Sequence, residues 1–204
     1  MASALTINGG EVNGSGTFNN LILNSGKLVV GNSPGLQTDT GDLELFGGEV
    51  IFSVAGFAEP ASAADCSWDD SVYSYMDMSG ASFLFNDKAG ITLSVGGEAL
   101  QLFENAHSVT DTIELVLMQN VGNASTLNLA LLADITQLVV TSESAGYSDS
   151  SFSIGSSLTD YYQSIDYKID GNNVVLSVYL VPEPTTATLS LLALAGLAVR
   201  RRRR

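Results

Sequence analysis

The chain predicts a mainly β protein. Its body reads as stacked, repeated strands of the parallel β-helix (β-solenoid) kind with one short helix, and a single transmembrane helix closes the C-terminus. Three observations predict this. A short pattern recurs near the N-terminus, glycine-rich turns separate its copies, and the last residues pass from an uncharged run into five arginines.

The repeat is LTINGGEV at 5–12, LILNSGKL at 21–28 and LELFGGEV at 43–50, with offsets of 16 and 22 residues. Such offsets match single rungs of a solenoid. Each copy alternates apolar residues (Leu5 and Ile7, Leu21 and Leu23, Leu43 and Leu45), so those side chains share one face of a strand. Each then passes through a glycine at the same place, Gly10, Gly26 or Gly48, and resumes with Val12, Leu28 or Val50. A recurring glycine predicts a backbone position with positive φ. Gly14-Ser15-Gly16 and Gly31-Asn32-Ser33-Pro34-Gly35 are turn sequences that redirect the chain between copies.

Residues 14–52 resemble the autotransporter-associated β-strand repeat. Gly16-Thr17, the Leu21-x-Leu23-Asn24-Ser25-Gly26 step and the Gly31–Gly35 loop carry the likeness. The resemblance implies a right-handed parallel β-helix of the type found in long surface passengers; it names an architecture and no activity. Residues 1–54 are accordingly read as solenoid rungs, 55–80 as an acidic loop excursion, and 81–180 as a continuing β region with its cap. A few rungs leave open strand edges and cannot bury a core alone, so the later residues are expected to complete the stack. Ser82–Asn86, Ala89–Val95, Ala99–Phe103, Thr112–Gln119, Leu138–Ser142 and Phe152–Ile154 show β patterning. Thr126–Leu138 instead places Leu127, Leu131, Ile135 and Leu138 at helical spacing behind Ser125 as N-cap. Ser164–Ile169 and Asn173–Leu180 flank Asp170-Gly171-Asn172, a hairpin or rung turn.

The C-terminal segment, 181–204, is VPEPTTATLSLLALAGLAVRRRRR. The prolines of Pro182-Glu183-Pro184 disfavour helix and keep that stretch extended. Residues 185–199 carry no charge, and Leu189, Leu191, Leu192, Leu194 and Leu197 cover every face of a helix. A helix that is apolar all round is a buried or membrane helix. Fifteen residues give roughly 22 Å against a hydrocarbon core of about 30 Å. Counting from Val181 and letting the arginines snorkel closes the gap. Arg200, Arg201, Arg202, Arg203 and Arg204 form the stop, since an arginine costs roughly 2.5–3.5 kcal/mol at the bilayer centre. Their expected side is cytoplasmic, with the body outside.

This segment resembles the PEP-CTERM sorting signal over all of 181–204. The resemblance implies passage through the secretion machinery, arrest in the inner membrane by the tail, and processing by an exosortase-type membrane protease that recognises Pro182, Glu183 and Pro184. The mature form is then expected in the cell envelope or extracellular matrix. MASALTINGG has neither a basic n-region nor an apolar h-region, so a sorting tail predicts either a longer precursor or an earlier start.

Composition narrows the chemistry. Ahead of the arginines stand Lys27, Lys88 and Lys168 against 22 acidic residues, a balance of −19. Phosphate contacts need clustered Lys and Arg, so nucleic acid is not an expected partner. Cys66 is the single cysteine and provides no disulfide framework. His107 is the single histidine; Ser108 and Asp111 stand near it, but no Gly-x-Ser-x-Gly elbow accompanies them. Asp65, Asp69, Asp70 and Asp77 form a solvated acidic stretch whose other reading is weak calcium binding. Glycoside hydrolysis needs two carboxylates about 5–10 Å apart, and no spacing singles out such a pair. Neither a catalytic residue nor a cofactor is expected. The leading expectation is a non-catalytic envelope protein, and its rival is a secreted β-helix that binds or degrades surface polysaccharide.

Overall fold

The computed structural model describes residues 4–31, 36–54, 73–95, 112–140 and 162–180. Strands make up 68% of them and one short α-helix interrupts the series, so the body is mainly β, with its sheets curled into a half-barrel. The repeat lies on β1 (Leu5–Gly14), β3 (Leu21–Val30) and the broken pair β5 (Leu43–Leu45) and β6 (Gly48–Val54). These lie side by side in parallel and are followed by β8 (Phe83–Phe85) with β9 (Ala89–Val95), and then by β11 (Thr136–Val140).

The second sheet takes the short strands between. β2 (Thr17–Phe18), β4 (Leu36–Asp39), β7 (Tyr75–Asp77) and β10 (Thr112–Gln119) run parallel. Thus the chain visits the two sheets alternately, each visit laid along the last. The order ends when β13 (Asn173–Leu180) adds antiparallel to β10 and β12 (Tyr162–Asp170) adds antiparallel to β13.

The register follows the sequence repeat. Leu5 pairs with Leu21, Leu21 with Leu43 and Leu43 with Phe83. Further along, Val12 pairs with Leu28, Leu28 with Val50 and Val50 with Ile91. Leu21, Leu43, Leu28, Val50 and Ile91 are wholly buried, because stacking places each between its counterparts in neighbouring passes. Each such side chain contributes about 1.5–3 kcal/mol by leaving water. The expected positive φ is present at Gly10 (+77°), Gly26 (+92°) and Gly48 (+77°). A Cβ on Gly26 would lie 2.5 Å from the Gly10 carbonyl oxygen, and one on Gly48 would lie 2.6 Å from that of Gly26. These glycines therefore serve both a backbone angle and the close approach of stacked carbonyls.

Three sequence expectations change. The helix is shorter than Thr126–Leu138: a 3-10 turn covers Ala124–Thr126, and α1 covers Leu129–Asp134. Its cap is Asn128, whose side chain accepts from the Leu131 amide at 3.2 Å, and not Ser125. Leu138 belongs to β11, where pairing with Leu93 of β9 outweighs the helical spacing. The last part of the 55–80 excursion also joins the core. Tyr73, Ser74, Met76 and Met78 are buried there, and a three-residue strand such as β7 is too short to show a period. Finally, the hairpin strand starts earlier than Ser164, at Tyr162, with Gly171 at φ +60° in the turn. Expected strands Ala99–Phe103 and Phe152–Ile154 lie outside the described residues. So does the expected transmembrane helix 185–199; among the described residues no helix is long and apolar enough to cross a membrane.

Candidate functional site: a sorting tail on a stacked β body

The strand that precedes the C-terminal segment is well anchored. β13 is hydrogen-bonded on both sides, to β10 and β12, and buries Val174, Leu176 and Val178 completely. Leu180, its last residue, pairs with Tyr162. Pro182, Glu183 and Pro184 follow within four residues, and Arg200 to Arg204 end the chain. The residues expected to carry sorting and membrane arrest thus lie outside the described residues. In sequence the segment joins a Pro-Glu-Pro tripeptide, an uncharged run and five arginines.

The corners of the body use polar side chains to join one pass to the next. Asn20 Oδ1 accepts from the Asp42 amide at 3.0 Å, and Asp42 Oδ1 accepts from the Ser82 amide at 2.9 Å. Asn123 takes the same place one pass later, accepting from the Phe83 amide and donating to the Phe83 carbonyl, both at 2.9 Å. Each residue satisfies a corner donor that no strand ladder reaches. Sequence reasoning missed this column. Its signal is a short polar residue just before the first apolar residue of a pass: Asn20 before Leu21, Asp42 before Leu43, Asn123 before Ala124.

Inside the stack, β4 turns Gln37 and Asp39 inward, and both are completely buried. Asp39 accepts from the Gly41 amide at 3.2 Å, while its other carboxylate oxygen, both Gln37 amide atoms and the Ser74 hydroxyl have no hydrogen-bond partner. Burial pushes the Asp39 carboxyl up to about 6, the Gly41 amide partly offsets this, and the charge of Asp42 adds to it. At the capping end, Tyr167 is buried with its hydroxyl 3.0 Å from Thr136 Oγ1; burial raises its pKa and keeps it protonated.

The outer surface offers less. A cavity of about 100 Å³ is lined by Tyr73, Tyr75, Val116, Gln119 and Asn173, with no carboxylate among these residues. Lys27 pairs with Glu49 at 3.4 Å and Lys168 with Glu114 at 2.6 Å; both pairs are solvated and worth about 0–1 kcal/mol each. No group of three or more His, Cys, Asp or Glu suited to a metal occurs among the described residues. Of the acidic stretch, Asp77 is described, and its carboxylate accepts from the Ser79 amide and the Asn120 side chain, both at 3.0 Å. Asp65, Asp69, Asp70, Cys66, His107, Ser108 and Asp111 lie outside the described residues.

Together these features define a class: an acidic β body bearing a C-terminal sorting tag. Residues 180–204 match the family model of the PEP-CTERM protein-sorting motif. Such signals are C-terminal tags of extracytoplasmic proteins and are recognised by exosortase, a membrane protease. The match begins at Leu180, where β13 ends. No curated protein and no solved structure matches the chain.

Proposed function

We propose that the chain is a non-catalytic structural protein of the cell envelope or extracellular matrix, sorted to that place by an exosortase. The observation that carries this reading is the motif at 180–204, with its tripeptide, uncharged run and five arginines in fixed order. The body then serves as a parallel β-helix scaffold or spacer, related in pattern to the autotransporter-associated repeat. The register of β1, β3 and β5/β6 supports that relation, since it pairs the repeat residue by residue. In this account the secretion machinery exports the chain, 185–199 spans the inner membrane, and Arg200 to Arg204 hold the C-terminus in the cytoplasm. Pro182, Glu183 and Pro184 present the motif to the protease in an extended form.

The test is fractionation of cells expressing the chain with an exosortase, followed by intact mass. The parent should yield an envelope or extracellular form lacking the tail. A triple alanine change at Pro182, Glu183 and Pro184 should leave the uncut form in the membrane, and neutral residues at 200–204 should weaken retention. Cutting that proceeds equally in all three chains would reject the reading.

A second reading is a secreted protein that binds or degrades surface polysaccharide. The small cavity beside Tyr75, Gln119 and Asn173 supports binding, because side-chain amides pair with hydroxyl groups; Tyr73 lines it from the core. A glycan array with a hydrolysis screen separates the readings: turnover abolished by one Asp→Asn change marks an enzyme, and binding without turnover marks an adhesin.

A further inference from the structure

On the outer face of the first sheet a hydroxyl, a carboxylate and a side-chain amide meet. Thr92 of β9 and Gln137 of β11 are register partners, so their side chains stand side by side on one face. Ile51 of β6 pairs with Thr92 on its other side, and Glu49 stands two residues before Ile51, on the same face. A glutamate side chain spans that diagonal. Thr92 Oγ1 donates to Glu49 Oε1. Gln137 Nε2 donates to Thr92 Oγ1 at 2.9 Å and to Glu49 Oε1 at 3.5 Å. Lys27 holds the second Glu49 oxygen at 3.4 Å. Thr92 is buried, whereas Gln137 is exposed.

A threonine hydroxyl is a weak nucleophile until a neighbouring base takes its proton. Here the hydroxyl already donates to a carboxylate, Lys27 orients that carboxylate, and Oγ1 faces the Gln137 amide. Nucleophile, base and orienting group therefore stand in the order that covalent chemistry needs. The amide is an electrophile fixed in the same molecule, and such placement replaces a high concentration of reactant.

We propose that Thr92 and Gln137 form an intramolecular ester that ties β9 to β11. A rotation of the Gln137 side chain brings Cδ to the place of Nε2. Oγ1 then bonds to Cδ as its proton passes to Glu49 Oε1. The Cδ–Nε2 bond breaks, Glu49 returns the proton to the departing nitrogen, and ammonia leaves on the exposed side of Gln137. Glu49 ends as it began, the chain is lighter by one ammonia, and the balance needs no other reactant. The reaction runs once within the chain, so it adds a cross-link and no turnover. It converts the hydrogen-bonded pairing of β11 with β9 into a covalent one. The proposal goes beyond the sorting reading and does not depend on it.

The test is intact mass of the purified full chain, held in mild detergent for days at neutral pH, followed by protease digestion and fragment sequencing by mass spectrometry. The chain should lose one ammonia, and the digest should contain the peptide of Thr92 joined to that of Gln137. Neutral hydroxylamine cleaves esters and spares ordinary amides, so it should separate the two peptides. Glu49→Gln should slow the cross-linking about a hundredfold or more, the usual worth of a positioned base. Thr92→Val and Gln137→Glu should form no link, whereas Thr92→Ser, which keeps a hydroxyl, should form it. All chains are first matched by β circular dichroism, so misfolding cannot mimic this pattern. A folded parent that keeps its full mass overturns the proposal. So does loss of one water, which would join Thr92 to Glu49 instead, or loss of ammonia without a link between the two named peptides. Cross-linking at an equal rate in Glu49→Gln overturns it as well.

Discussion

Asp39 is a carboxylate placed where an apolar side chain normally sits. It is completely buried on β4, and its carboxyl is raised from 3.8 to about 6, chiefly by burial. The sign of its effect on stability follows. Well below pH 4 the group is neutral in both folded and unfolded chains and costs nothing through ionisation. Between about pH 4 and 6 the unfolded chain releases its proton while the folded chain keeps it, so stability falls as pH rises. Above pH 6 the loss is complete, on the order of 2–3 kcal/mol. Asp39→Asn cannot ionise and should remove that loss. Urea unfolding of parent and variant at pH 4 and pH 7 is the check: the variant should gain on the parent as pH rises. Curves that keep the same separation at both values would rule this out.

A second residue-scale expectation concerns Gly26. Its φ of +92° strains any L side chain, and its Cβ would meet the Gly10 carbonyl oxygen at 2.5 Å. Gly26→Ala should therefore cost about 2 kcal/mol or more, beyond the usual effect of glycine replacement in a strand. Gly171 is the control, since it also has positive φ (+60°) but nothing within 4 Å. Gly171→Ala should cost less in the same thermal unfolding experiment. Equal losses would show that the φ angle alone matters and that stacking does not.

At the scale of elements, the repeat carried the register of the first sheet. A period-2 pattern with a glycine at a fixed place has one self-consistent stacking, and Leu5, Leu21 and Leu43 take it. The second sheet was barely legible, because β2, β4 and β7 have two, four and three residues. Such strands show no period, and β4 hides further by burying Gln37 and Asp39. The helix was half legible. Leu127 and Ile135 pack partly against the core as the spacing suggested, but Leu132, which that spacing did not include, is the residue α1 buries completely. Its end was set by tertiary pairing, since Thr136–Val140 gains a partner strand in β9 that local spacing cannot report. The tail was legible for the opposite reason: its signal is composition and order, and needs no long-range contact to be recognised.

At the scale of the molecule, the last described strand ends at Leu180, where the matched motif begins. β13 fills the place between β10 and β12, so the hairpin closes the second sheet and Tyr167 of β12 reaches Thr136 on the first. Losing β13 would remove the buried Val174, Leu176 and Val178, about 1.5–3 kcal/mol each, and would free the edge of β10. That sum is comparable with the whole stability of an ordinary domain, about 5–15 kcal/mol. A chain stopped after Leu180 keeps every described strand, whereas one stopped after Asn172 loses β13. The first should unfold at the temperature of the full chain within a few degrees and show the same β circular dichroism. The second should unfold at a far lower temperature or fail to fold, with β12 left unpaired. If stopping after Leu180 lowers stability as much as stopping after Asn172, the tail is part of the folded body and is no disposable address.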